Sequence, residues 1–220
     1  MRYGAVMRDR VRELLADCGT TYAEQAGIRL ADQPAPLYRL LVLSVLLSTR
    51  IKAEIAVAAA RELFAAGCGT PRGMRQASWQ DRVDALGRGH YVRYDESTAT
   101  ALGEGAELIR ERYRDDLRRL RRAAGGDQAE LQRRLREFPR LGPTGAAIFC
   151  REAQAVWPEL QPYLDRKALD GARKLDLPAD PAKLAGAVPE ADLARLAAAL
   201  VRVALDRRLA QRLAEQLPTA

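Results

Sequence analysis

The sequence predicts an all-α protein. Alanine, leucine and arginine, all good helix formers, dominate the 220 residues while aromatics make up only 5%. No stretch sustains the apolar–polar alternation, bounded by turn residues, that marks a strand. Ser or Asp precedes several runs with helical spacing, and Gly or Pro follows them.

The elements follow in order. Residues 5–17 read as a charged amphipathic helix with Val6, Val11, Leu14 and Leu15 as its buried stripe. An irregular link ends in Asp32-Gln33-Pro34-Ala35-Pro36, where the prolines mark a boundary. Residues 37–48 are nearly continuously apolar, as suits a helix buried on most sides, and residues 52–66 continue as an amphipathic helix stopped at Gly67-Cys68-Gly69. Ser78 and Asp81 form a capping-box pattern opening a short helix through Leu86. A glycine-rich loop with aromatics, Gly87 to Tyr94, precedes helices at 97–112, 117–122 and, capped by Asp127, at 128–138. After a Pro/Gly turn, an apolar helix covers 146–156. Asp165 caps a helix running to Lys174, and Asp180-Pro181 and Pro189-Glu190 open two more. The last helix carries Leu193, Leu196, Leu200, Val203 and Ala204 at helical spacing, a face that packs on the N-terminal helix.

This length accommodates one large domain or two small ones sharing a cleft, without staples. Cys18, Cys68 and Cys150 are far apart and in no metal-ligand spacing, so they read as thiols of a reducing compartment. The charged start, Met1 to Arg10, has no apolar core of a leader, and no segment approaches a membrane span, so the expectation is a cytoplasmic protein with no membrane partner. A net charge of +7 favours a polyanionic partner. Of the 36 basic residues only four are lysine, Lys52, Lys167, Lys174 and Lys183; the other 32 are arginine, a usage that a GC-rich genome alone also produces.

The most informative stretch is Phe138-Pro139-Arg140-Leu141-Gly142-Pro143-Thr144-Gly145, followed by the apolar helix and then by Tyr163-Leu164-Asp165. A helix that stops in a tight turn and restarts at once aims backbone N–H groups at one place, which suits a phosphate. Val45-Leu46-Leu47-Ser48-Thr49-Arg50-Ile51-Lys52 is the second informative block. In this order the blocks resemble the helix-hairpin-helix DNA glycosylases of the endonuclease III type, over roughly residues 37–175.

The resemblance implies two helical domains flanking a DNA-binding cleft: residues 37–138 as a central bundle, and residues 1–36 with 139–220 as a second domain carrying the hairpin, the aspartate and both termini. It implies a monomer that binds double-stranded DNA, is associated with the nucleoid, and excises a flipped damaged or mispaired base. Asp165 is the implied catalytic carboxylate, stabilising positive charge on the sugar and orienting water; an ordinary N-cap is the other reading of the same residue. Thr144 stands where bifunctional members carry a Schiff-base lysine, which implies hydrolysis without strand cleavage unless Lys52 or Lys167 substitutes. Arg140, Leu141, Gly142, Thr144 and Gly145 form the implied phosphate cradle. Arg140 departs from the pattern by replacing its first glycine, and an arginine in a left-handed turn is strained. Arg50 stands where relatives place the residue that fills the gap of an extruded nucleotide; it also reads as one solvated arginine among many. His90 and Tyr91 lie where relatives carry a second wedge, with stacking on bases and ordinary packing both open. No metal site and no iron–sulfur cluster are expected, since no cysteine follows Cys150, although a monovalent cation on hairpin carbonyls fits the family. A catalytically silent DNA-binding protein of the same fold is the alternative.

Overall fold

Pro34 and Pro36 open a helix instead of delaying one. In the computed structural model, which describes residues 2–216 with side chains from Val6 onward, the helix α3 spans Pro34–Leu47, with Pro34 at its first positions, where a missing N–H costs nothing. The remaining helices are α1 (Arg2–Cys18), α2 (Tyr22–Gln25), α4 (Ala53–Ala65), α5 (Pro71–Gln76), α6 (Trp79–Arg88), α7 (Asp95–Tyr113), α8 (Leu117–Ala123), α9 (Gln128–Leu135), α10 (Pro143–Ala153), α11 (Arg166–Lys174), α12 (Pro181–Ala185), α13 (Leu193–Leu205) and α14 (Arg207–Gln216). Short 3-10 turns cover Pro158–Leu160 and Glu190–Asp192, and the described residues contain no strand. Among the described residues, no helix is long and apolar enough to cross a membrane.

The chain divides into two units, residues 23–150 and residues 1–22 with 151–220. The larger unit is built around α3, from Leu37 to Leu46 almost wholly buried. Ala23, Ala26 and Ile28 are buried too, and the first half of α10 contributes buried Ala146, Phe149 and Cys150. These apolar groups carry the unit past both ends of the expected 37–138 bundle, so the hairpin belongs to the larger unit instead of sharing one with Asp165. Inside it, Arg75 forms two hydrogen bonds to Asp115, at 2.7 and 2.9 Å, and a third to the Ala106 carbonyl. That satisfies the guanidinium where it leaves water.

In the smaller unit α13 is the central helix. Of its expected stripe, Leu193, Leu196, Leu200 and Val203 are buried and Ala204 is half-buried, and the helix packs on both α1 and α11. The last carbonyls of α1 lack intrahelical donors, and arginines of α13 supply them: Arg202 Nη1 donates to Cys18 O and Arg195 Nε to Gly19 O. Gly171 of α11 lies so close that a Cβ would fall 1.9 Å from the Leu200 carbonyl oxygen.

The short α5 was not expected; Thr70 caps it from the side chain, with Pro71 at its first position. The expected final helix is two, because Asp206 breaks the run and caps α14. Since backbone occupies the space beside Gly171, Gly171→Ala is predicted to destabilise the protein by about 1–3 kcal/mol. An unchanged denaturation midpoint would rule out the close α11–α13 packing.

Candidate functional site

The hairpin is held by its apolar residues and presents its polar backbone. Phe138 is buried against α7, where its ring fills the place of a side chain at Gly105, 2.1 Å from where a Cβ would stand. Leu141 is buried beneath Gly145, whose absent Cβ would sit 2.6 Å from Leu141 Cδ1 and 3.3 Å from Ser48 Cβ. The Leu141 side chain is therefore an anchor and not a DNA contact. Between them the Leu141 N–H donates to Phe138 O at 3.0 Å, closing a tight turn.

Arg140 takes φ 62°, the left-handed conformation a glycine would adopt without strain. The chain thus keeps a glycine-type turn with an arginine in it. Helix α10 begins at Pro143, three residues earlier than expected, so Thr144 and Gly145 lie in its first turn, where N–H groups have no acceptor within the helix. Gly142, Pro143 and Thr144 are exposed.

Three stretches distant in sequence meet around this turn. Ser48, Thr49 and Arg50 from the α3–α4 connection, Tyr94 from the loop before α7, and Arg140 from the hairpin line one open groove of about 490 Å³. The Arg140 guanidinium donates to Ser97 Oγ at 2.7 Å and lies 5.7 Å from the centre of the Tyr94 ring. Arg93 lies over the same ring at 5.3 Å. Neither Arg50 nor Arg140 has a carboxylate partner among the described residues, whereas Arg75, Arg88, Arg110, Arg118 and Arg133 all do. Lys52 is exposed at the N-cap of α4.

Tyr91 does not face solvent. It is fully buried, and its hydroxyl lies 2.9 Å from Thr49 Oγ1. Thr49 spends its own hydrogen on the Leu46 carbonyl, so Tyr91 is the donor. This ties the loop to the α3–α4 connection and removes Tyr91 from any role in base stacking. His90 is exposed in a left-handed conformation at φ 61°, and Val92 beside it is 66% exposed. Tyr38, Phe149, Trp157 and Tyr163 are all core residues; burial pushes the Tyr38 hydroxyl far above its ordinary pKa.

Asp165 belongs to the smaller unit. Its Oδ1 accepts the Ala168 N–H at 3.0 Å, the expected N-cap of α11. Its Oδ2 accepts Arg151 Nη1 at 2.8 Å, with side chains 16% and 7% exposed, respectively. The approach to Asp165 is fixed by Gln154, fully buried, which donates to the Arg151 and Tyr163 carbonyls and accepts the Tyr163 N–H. Lys167 is exposed two residues further on.

Arg151 and Gln154 were not foreseen. The available signal was a pair of charges, Arg151 and Glu152, inside a largely apolar helix, since a buried charge requires a partner.

No protein-family model matches the chain, and no curated protein does. A solved structure of a trapped endonuclease III–DNA covalent intermediate, an estranged-adenine complex, is 12% identical, over 88% of this chain and 84% of that one, with a TM-score of 0.48. That likeness is too remote to bear on the chemistry of this chain.

Two predictions follow from the geometry. Open space surrounds Gly142, so a leucine there should change stability by no more than about 0.5 kcal/mol while blocking backbone approach to a phosphate; duplex affinity that survives at low salt would argue against the cradle. Asp165→Asn keeps a capping oxygen but strands Arg151, and is expected to cost roughly 2–4 kcal/mol. Adding Arg151→Met should recover part of that loss, and strict additivity in the double-mutant cycle would deny the ion pair.

Proposed function

We propose that this protein is a DNA glycosylase that removes a damaged or mispaired base by hydrolysis. The observation that best supports the reading is the convergence within the larger unit of the α3–α4 connection, the loop before α7 and the hairpin, the stretches that the sequence resemblance assigns to DNA. They carry guanidinium groups without carboxylate partners beside the exposed start of α10, a combination suited to a sugar–phosphate chain.

In this reading the nucleotide is extruded from the stack. Asp165 accepts a hydrogen bond from water, the water oxygen bonds to C1′, and the glycosidic bond breaks with its electron pair leaving on the base. The base gains a proton as the water loses one. Thr144 has no amine, so no Schiff base forms at that position and the strand stays intact.

The Arg151–Asp165 pair favours a second reading, a lesion-binding protein without turnover, because a carboxylate beside a guanidinium stabilises a neighbouring cation less. An excision assay decides between them, using duplexes carrying uracil, an alkylated purine or an oxidised purine. The glycosylase reading expects breaks only after alkali, no adduct trapped by borohydride, and a loss of about a hundredfold or more in Asp165→Asn, once its folding is verified. Tight binding with no product from any duplex would leave the silent binder, and a borohydride-trapped adduct would point to Lys52 or Lys167 as nucleophile.

A further inference from the structure

Within the DNA-binding reading, on which this inference rests, we propose that Arg50 and Arg140 clamp one backbone phosphate of duplex DNA between them. On this view Arg140 occupies a left-handed backbone position because its side chain is needed there.

Three observations carry the clamp. First, a non-glycine residue at φ 62° is in a sparsely populated conformation that persists only where the surroundings enforce it, and such positions gather at functional sites. Glycine would relieve the strain, and Arg140 differs from Arg114, the other left-handed arginine among the described residues, in lining the groove and holding its guanidinium against Ser97.

Second, that guanidinium is already held. Ser97 Oγ accepts one of its N–H groups at 2.7 Å, and the Ser97 hydroxyl donates onward to the Tyr94 carbonyl at 3.2 Å. The Tyr94 ring lies 5.7 Å from it. A guanidinium has five N–H donors, so one bond to serine leaves a planar edge free for two oxygens of a phosphate. Pre-setting the side chain also lowers the ordering cost of binding.

Third, the groove has one sign of charge. Of its five lining residues two are arginines and none is acidic. Both guanidinium groups lack a carboxylate partner among the described residues, so the groove complements a phosphodiester and not a cation or an acid-poor apolar peptide. Ser48 and Thr49 contribute hydroxyl oxygens, but their hydrogens are committed to the Val45 and Leu46 carbonyls, which leaves the two arginines as the donors.

The test uses the full chain and an undamaged, fluorescently labelled duplex, with anisotropy titrations over a range of salt and thermal melts of each variant. Arg140→Gly should hold or raise the melting temperature while weakening binding by roughly tenfold or more, because the turn relaxes as the contact is lost. Arg140→Lys should recover only part of the affinity, since an ammonium cannot engage two oxygens in the plane of a guanidinium. Arg50→Gln should weaken binding similarly. The double variant Arg50→Gln with Arg140→Gly should lower the slope of log affinity against log salt by about one in total, the count for a single phosphate. A slope lowered by about two would assign the arginines to separate phosphates and overturn the clamp. So would wild-type affinity in Arg140→Gly, or a parallel fall of stability and binding that marks Arg140 as part of the turn alone. If the wild-type chain shows no salt-sensitive duplex affinity, it is the DNA reading itself that fails.

Discussion

Gly105 has no side chain, and the ring of Phe138 lies where one would be. The position of the hairpin depends on that contact. Phe138 ends the segment after α9, and the turn follows within two residues, so a displacement of its ring would carry Arg140 and the first turn of α10 with it. Leu141 fixes the other side by packing under Gly145, where Ser48 of the α3–α4 connection also comes close. Both anchors fit only because these two positions are glycine: a side chain at either would occupy the space that the Phe138 ring or the Leu141 side chain fills. Polar backbone can thus be left exposed at Gly142 and Thr144 without losing definition, because apolar side chains on the opposite side set its place.

Charge is distributed with a similar economy of position. A chain with 32 arginines would be expected to show an undirected basic surface, yet many of these arginines are tied to carboxylates or carbonyls. Arg82 donates to three backbone carbonyls, Arg202 caps α1, and Arg133 bridges Glu130 and Glu137. Exposed pairs of this kind add little stability, but they cancel local field. Arg50 and Arg140, without a carboxylate partner among the described residues, are the charged side chains that line the groove beside the hairpin, and a lining of one sign suits a polyanion.

The helices were legible in the sequence where their signals are local. Ser78 with Asp81, Asp127, Asp165 and Asp180 each cap the helix that their spacing predicts, because a cap is a contact with an N–H two or three residues away. The all-α class and the α13 face follow from the same short-range periodicity. Tyr91 was not legible: whether a loop aromatic meets solvent or core depends on Thr49, 42 residues away, and no local pattern encodes that. Leu141 misleads for a related reason, since a residue in a hairpin motif can serve by burying its side chain while its neighbours offer their backbone. Prolines and turns place boundaries at 36/37 and 138/139, whereas the units divide at 22/23 and 150/151, inside α2 and α10, where no local sequence signal marks a break.

Asp165 poses the hardest chemical question, and its hydrogen bonds narrow the answer. A carboxylate alone attracts a developing sugar cation as a full charge, but one held 2.8 Å from a guanidinium acts at longer range as a dipole. Electrostatic stabilisation of the cation is therefore the weaker part of what this residue can offer. Its acceptor capacity is less affected. Of roughly four lone-pair directions on a carboxylate, Arg151 and Ala168 occupy two, and the side chain retains a 16% exposure through which another donor can reach it. Both existing bonds also fix the plane of the carboxylate, with Gln154 holding the chain that leads to it. A group with locked orientation and free lone pairs is suited to positioning a water molecule by accepting a hydrogen bond from it. Hydrolysis needs that function whichever base is removed, and a protein that only recognises a lesion does not.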